Sequence, residues 1–422
     1  MGDHTTPLTR HGIPIDPHLR VLGAIALVDT LGRGATMTTI AIYFTHVVGL
    51  PATQVAFAIG LGAFVEFALG TPLGVLSDRV EPRRLLTISL AMTAVIAAGF
   101  LVVTDLIGLC LVSAGMAASA TTARSVRNML LARVGGPTGQ AVAFKAYLRA
   151  ITNTGMAVGG LLAGLALWAD TRTAYLAVFA WDAVTYLGAA VVARFLPDAP
   201  RPQPAPAPAL TGDRPPARVW RDVPYVLSTA LVAIFAMHFM VFEIAVPLWV
   251  AGHTEAPKWL VAAMFILNTV AVALLQVRLS RQSSTVANAG PSMARAGVFV
   301  GLGFVCIAAA ATAGPLVASV VLLAGAAIHV FGELIGSGAQ WAVNMGLAPM
   351  ERQGEYQGFA GSIWSLSAVV SPTLATWLCI EHGYAGWAAM IAIIAGAALS
   401  LGPVSRWALR TRAEYGVTTH TG

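Results

Sequence analysis

Gly74-Val75-Leu76-Ser77-Asp78-Arg79-Val80-Glu81-Pro82-Arg83-Arg84 is a charged interruption between two apolar runs, 54–76 and 84–104. Each run has about 20 residues, enough for a helix to cross the hydrocarbon core of a bilayer. Working outward from this loop, the alternation repeats. Further runs lie at 21–43, 107–125, 147–168, 174–195, 225–250, 258–278, 296–313, 316–340, 357–380 and 384–405, giving twelve in all. Between the sixth and seventh lies Arg201–Asp222, which contains PQPAPAPAL and DRPPAR. Its proline and charge content cannot bury a core, so it reads as an extended, solvated linker. The expected architecture is an all-α integral membrane protein with two pseudo-symmetric six-helix bundles. These occupy 1–200 and 223–422, joined by the linker 201–222.

Composition agrees. Of 422 residues 57% are hydrophobic and 10% charged, against about 25% charged in a soluble domain. Such a chain cannot cover its surface with polar side chains, so lipid is its solvent. The net charge of +6 lies in short loops rather than on a basic face, which excludes a nucleic-acid partner. Cys110, Cys306 and Cys379 fall inside apolar runs and read as small core residues rather than disulfides or metal ligands. The first nineteen residues are polar, and the first apolar run contains Asp29 and Arg33. That is no signal-peptide core.

Basic residues set the orientation, because cytoplasmic loops hold the excess of Lys and Arg. With the N-terminus inside, 22 of the 25 basic residues fall on the cytoplasmic side. These include Arg124, at the cytoplasmic end of the fourth run, and Arg127, after it. Only Arg172 and Lys258 lie outside, and Arg33 lies within the membrane. The expectation is a cytoplasmic (inner) membrane protein with both termini cytoplasmic, acting as a monomer.

The loop at Gly74–Arg84 resembles the signature loop of the major facilitator superfamily. Gly74, Leu76, Asp78, Arg79 and Arg83 fit that pattern, while Glu81 replaces a second glycine and Pro82 a basic residue. Gly74 permits close helix approach, and Asp78 can sit against the positive N-terminus of a neighbouring helix. The resemblance implies that Gly74, Asp78, Arg79 and Arg83 form a cytoplasmic latch. The fifth run, Gly155–Gly164, looks like the family's antiporter motif. Gly155, Gly159 and Gly164 fit, and Gly160 takes the place of a proline. Small residues four apart let helices meet backbone to backbone. In the family this seals exporters against leak.

Ionisable residues inside spans are costly and point to function. Asp29, Glu66, Asp182, Glu243 and Glu333 lie at depth, with Arg33, His238 and His329. By helical rise Glu66 is ~18 Å from Asp78, near the midplane. The resemblance makes helices 1, 4, 7 and 10 line a central cavity, and three of these carry buried charge. Asp29 and Arg33, four apart on one face, are expected to pair as a gating or structural unit. Glu66, Glu243 and Glu333 have no Arg or Lys nearby in sequence. They are therefore the candidate proton carriers, with His329 one turn before Glu333 as a relay. His238, Asn268, Gln340 and Trp341 are candidates for the substrate cavity. Asp182, on helix 6, has no role assigned by the sequence.

No metal-ligand spacing and no nucleophile–base motif stands out, so neither a metal site nor an enzyme is expected. The resemblance implies a secondary transporter that needs no cofactor beyond a proton gradient. Its partners would be protons, the bilayer and a small-molecule substrate. It is most similar to bacterial twelve-helix drug/proton antiporters, which export small hydrophobic or amphipathic compounds by alternating access. The alternative is uptake or facilitated transport of a sugar, amino acid or peptide by the same fold.

Overall fold

The computed structural model describes residues 15–135, 141–197, 217–283 and 285–415. It is helical throughout, with no strand among the described residues. The helices are α1 Pro17–Ile42, α2 Ala52–Arg79, α3 Pro82–Ala98, α4 Leu106–Gly135, α5 Ala141–Ala169 and α6 Arg172–Ala193. They continue as α7 Val223–His253, α8 Leu260–Ser280, α9 Val286–Ala309, α10 Pro315–Gly346, α11 Gln353–Thr376 and α12 Gly383–Thr411. Eleven of the described helices are long and apolar enough to cross a membrane. The exception, α1, is 26 residues long, but Asp29, Arg33 and a series of threonines dilute its apolar character.

Local chemistry fixes the starts. Asp16 caps α1, its carboxylate accepting from His18 N–H at 2.7 Å, and Pro17 occupies the first turn, where no N–H is needed. Glu81 does the same for α3, accepting from the backbone N–H groups of Arg83 and Arg84 at 3.1 and 3.0 Å. This explains the departure from the family pattern at Glu81: the residue standing in for a glycine is a helix cap, followed by Pro82. Thr171 and Thr285 cap α6 and α9.

Two expected boundaries move by ten residues. The fourth run was expected to end at 125, but α4 continues to Gly135. Arg127 and Arg133 are therefore helical side chains and not loop residues. Thr285 starts α9 at Val286, ahead of the expected 296. In both places the helix carries polar residues that a hydrophobicity count reads as its end.

The chain forms two compact units. The first holds residues 1–136, 147–209 and 350–362, and the second 137–146, 210–349 and 363–422. The linker expected at 201–222 lies largely outside the described residues. In the first unit the main helix pairs are α1 with α6, α2 with α4, α3 with α4 and α3 with α6. In the second they are α7 with α12, α8 with α10, α9 with α10 and α9 with α12. The pairing is the same with six added to each helix number, as expected for two copies of one six-helix plan.

Each unit has its own core. In the first, Tyr43, Phe44, Phe100, Tyr175 and Phe179 pack at the ends of α1, α3 and α6, with ring centroids 5.1–6.3 Å apart. In the second, Arg412 and Asp222 form a fully enclosed ion pair. Arg412 Nη1 donates to Asp222 Oδ2 at 2.8 Å and Nη2 to Oδ1 at 2.6 Å. Arg412 Nη1 also donates to the Leu347 carbonyl at 2.9 Å, while Asp222 caps α7 through Tyr225 N–H. One guanidinium thus ties the ends of α10 and α12 to the start of α7.

Candidate functional site

The Asp78 loop is the first element of interest. Asp78 Oδ1 accepts from Gly354 N–H at 2.8 Å and Oδ2 from Glu355 N–H at 2.9 Å. These are first-turn donors of α11, which have no partner within their own helix. Arg133 Nη2 adds a third bond to Oδ1 at 3.4 Å. The crossing of α2 and α11 is made of glycines. A Cβ on Gly74 would strike the Gly354 carbonyl oxygen, and one on Gly358 would strike that of Gly70. Arg79 is exposed. Arg83 donates to the Leu196 carbonyl at 3.4 Å. Sequence reasoning placed Arg133 in a cytoplasmic loop and gave it no role; only the length of α4 brings it to Asp78.

The glycines of α5 divide into two pairs. Gly155 lies against Thr30, and Gly159 against the Leu31 carbonyl and the backbone of Gly34 and Ala35. Gly34 in turn faces the Met156 backbone, whose carbonyl oxygen a Cβ there would meet at 2.5 Å. A Cβ at Gly160 or Gly164 would meet nothing within 4 Å. The close approach of α1 and α5 therefore rests on Gly155, Gly159 and Gly34.

The expected Asp29–Arg33 pair is not formed. Asp29 Oδ2 instead accepts from Arg127 Nη1 at 2.6 Å, and Arg33 is exposed. Spacing of four makes a pair possible, but Arg127 reaches the carboxylate from α4, across the bundle, with most of its side chain buried. Glu66, expected to have no cation near it, is bonded by Arg124, also from α4. In the sequence these partners are 98 and 58 residues away.

A polar constellation occupies the second unit, on α7, α8 and α10. His238 Nδ1 and His329 Nε2 are 3.2 Å apart, and both rings are fully buried. One ring therefore donates to the other, and which one does so depends on the tautomer. His329 stacks on Phe242 at 4.6 Å and 8° and packs on Phe304. One turn further along α10, Glu333 is 3% exposed, and its Oε2 accepts from Asn268 Nδ2 at 2.8 Å. Glu243 sits in a π-turn, Val241–Ala245, that interrupts α7, within electrostatic reach of Glu333. A π-turn adds a residue to one helical turn and re-aims the next stretch of helix. Gln340 is buried on α10 and Trp341 half-buried. His238 thus belongs with the ionisable cluster and not with an open cavity wall. Among the described residues no group of three His, Cys, Asp or Glu side chains is placed to hold a metal ion.

Two imidazoles share one hydrogen bond, and a buried carboxylate lies one turn away with an amide to orient it.

The sequence profile of the Major Facilitator Superfamily matches residues 22–372. No curated protein matches the sequence. Among solved structures, a bacterial homologue of the iron transporter ferroportin in its outward-facing state is similar, at TM-score 0.70 and 14% identity. The alignment covers 94% of this chain and 100% of that one. The same homologue with soaked iron gives TM-score 0.69 at 14% identity, over 93% and 99%. The human organic anion transporter MFSD10 (TETRAN) gives 0.62 at 14% identity, over 95% and 100%. At that identity these likenesses show the fold alone.

Proposed function

This chain belongs to the major facilitator superfamily and is a multi-pass membrane transporter of that kind; from that premise we propose that it is a proton-coupled exporter. The cargo is a small hydrophobic or amphipathic compound, moved by alternating access across the cell membrane with both termini cytoplasmic. The observation that carries this reading is two buried hydrogen-bonded pairs, His238 with His329 and Asn268 with Glu333, which meet α10 one turn apart. Buried ionisable groups in a span are costly, and their place in such proteins is on ion and substrate pathways. Glu333 is the principal proton carrier, His329 and His238 relay, and Glu243, in the π-turn of α7, is the second carboxylate. Glu66 and Asp29 serve instead as partners of Arg124 and Arg127, holding α1, α2 and α4 together.

In operation, a proton on Glu333 removes a buried charge and favours one conformer. Loss of that proton restores the charge and favours the other. Apolar cargo competes with the proton for the same enclosed region. The close contact of α1 and α5 at Gly155 and Gly159 supports export, since tight backbone packing limits leak.

The test uses everted membrane vesicles energised by respiration, with ethidium and a neutral dye as probes. Wild-type vesicles accumulate dye, and collapse of the pH gradient stops it. Glu333→Gln abolishes gradient-driven accumulation while dye-for-dye exchange persists. Gradient-driven accumulation by Glu333→Gln equal to wild type would overturn the assignment.

A further inference from the structure

The first unit holds a buried carboxylate that the ion pairs above do not absorb. Asp182, on α6, is 1% exposed, and its Oδ1 has no hydrogen-bond partner. Asp29, on the facing α1, gives Oδ2 to Arg127, and its Oδ1 is likewise unpartnered. The seam between these helices is tight. A Cβ on Gly32 would lie 2.5 Å from Asp182 Oδ1 and 2.6 Å from its Cα. Little but the two backbones separates the carboxylate from α1.

The ionisable groups around this seam are few. α1 brings Asp29 and Arg33, α4 brings Arg127 and, near Asp29, Arg124, and α6 brings Tyr186. α3 packs on α6 as well, but its ionisable residues are Arg83 and Arg84, confined to its first turn. Arg124 is engaged by Glu66, and Arg33 is exposed. The enclosed seam thus has two carboxylates and one guanidinium, with the Thr36 hydroxyl beside Asp182 and Arg33 within electrostatic reach of it. A buried carboxylate without compensating charge costs several kcal/mol, so the seam calls for one more positive charge.

We propose that Asp182 is a proton-binding site of the first unit, and that a proton and the Arg33 guanidinium are its alternative neutralising partners. With the proton in place, the Asp182 carboxyl is neutral and Arg33 stays on its exposed face, as it stands here. When the O–H bond breaks, the proton passes to water on that face. Arg33 then turns inward to the carboxylate. Arg33 stands four positions after Asp29 on α1, so this turn also carries Arg33 toward the Arg127 pair. The site deepens the proton-coupled reading and rests on it for the use made of the proton. The binding itself is measurable without any cargo.

The experiment is pH-difference infrared spectroscopy of the full chain in phosphatidylethanolamine–phosphatidylglycerol liposomes, reading the carboxylic-acid C=O stretch. Wild type shows a pH-dependent band that Asp182→Asn removes, that Glu333→Gln leaves, and that Asp182→Glu keeps at a shifted frequency. Should Asp182→Asn fail to elute as folded protein, Asp182→Glu carries the test. A band unchanged in Asp182→Asn, or unshifted in Asp182→Glu, overturns the proposal. Loss of proton-driven dye transport in Glu333→Gln without an Asp182 band would sink this site and leave the coupling reading intact. An Asp182 band alongside undiminished transport by Glu333→Gln would do the reverse.

Discussion

Removing the carboxylate of Asp78 should free the first turn of α11. Its two oxygens accept from Gly354 and Glu355 N–H at 2.8 and 2.9 Å, and both of those residues are buried. A buried donor left without its acceptor costs about 1–3 kcal/mol. The charge at a helix N-terminus adds about 0.3–1 kcal/mol. Two donors near the middle of the first range, with some relief from water reaching the cavity left behind, give about 3 kcal/mol for Asp78→Ala. That is roughly a hundredfold change in the equilibrium between docked and undocked turns. Hydrogen-exchange mass spectrometry on purified protein in detergent reads it directly, since exchange reports local opening free energy. Peptides within 350–362 should exchange about a hundredfold faster in Asp78→Ala, while peptides within 286–309 keep the wild-type rate. Asp78→Asn keeps one acceptor and should fall between. Wild-type exchange in 350–362 for Asp78→Ala would refute the contact as the restraint on this turn.

The same reasoning sets expectations elsewhere in the bundle. Arg127→Ala strands Asp29 in the interior and should lower stability by about 3–5 kcal/mol, whereas Arg33→Ala, an exposed site, should stay within about 0.5 kcal/mol; thermal melts of the purified variants separate the two. Arg412→Ala leaves Asp222 enclosed without its cation, so it should be destabilised by about 3–5 kcal/mol, and Asp222→Ala with Arg412→Ala together should be milder than the sum, as measured by the same melts. Gly159→Leu should drive α1 and α5 apart and abolish a monodisperse elution peak, while Gly160→Leu, facing open space, should elute as wild type.

The architecture was legible because it is written in local pattern. Twelve apolar runs and the loop at Gly74–Arg84 each announce themselves within a few dozen residues. The position of Asp78 against a helix N-terminus was legible for the same reason: a carboxylate at a helix end seeks the nearest set of free N–H groups. The charge pairing was not. Asp29 has Arg33 one turn away in sequence, yet its partner is Arg127, placed by a helix that crosses from elsewhere in the bundle. Arg127 was hidden further because the fourth run loses its apolar character near residue 125, although the helix continues to Gly135. Hydrophobicity marks where a helix meets lipid. It does not mark where a helix lined with arginines meets carboxylates. The same limit applies to Gly164, which matches the motif, and to Gly160, which stands at its proline position: a Cβ at either would meet nothing within 4 Å. The His238–His329 contact joins residues 91 apart, and nothing in either neighbourhood signals the other.

The central claim, that cargo and proton move in exchange, is tested most directly by reconstitution. Purified protein is placed in liposomes with a pH dye inside, and a pH gradient is imposed across the membrane. Ethidium added on the cargo side should drive proton flux in wild type, and Glu333→Gln should show none above empty liposomes. Ethidium movement that continues unchanged in both proteins after the pH gradient is collapsed, with no accompanying proton flux, would contradict the account.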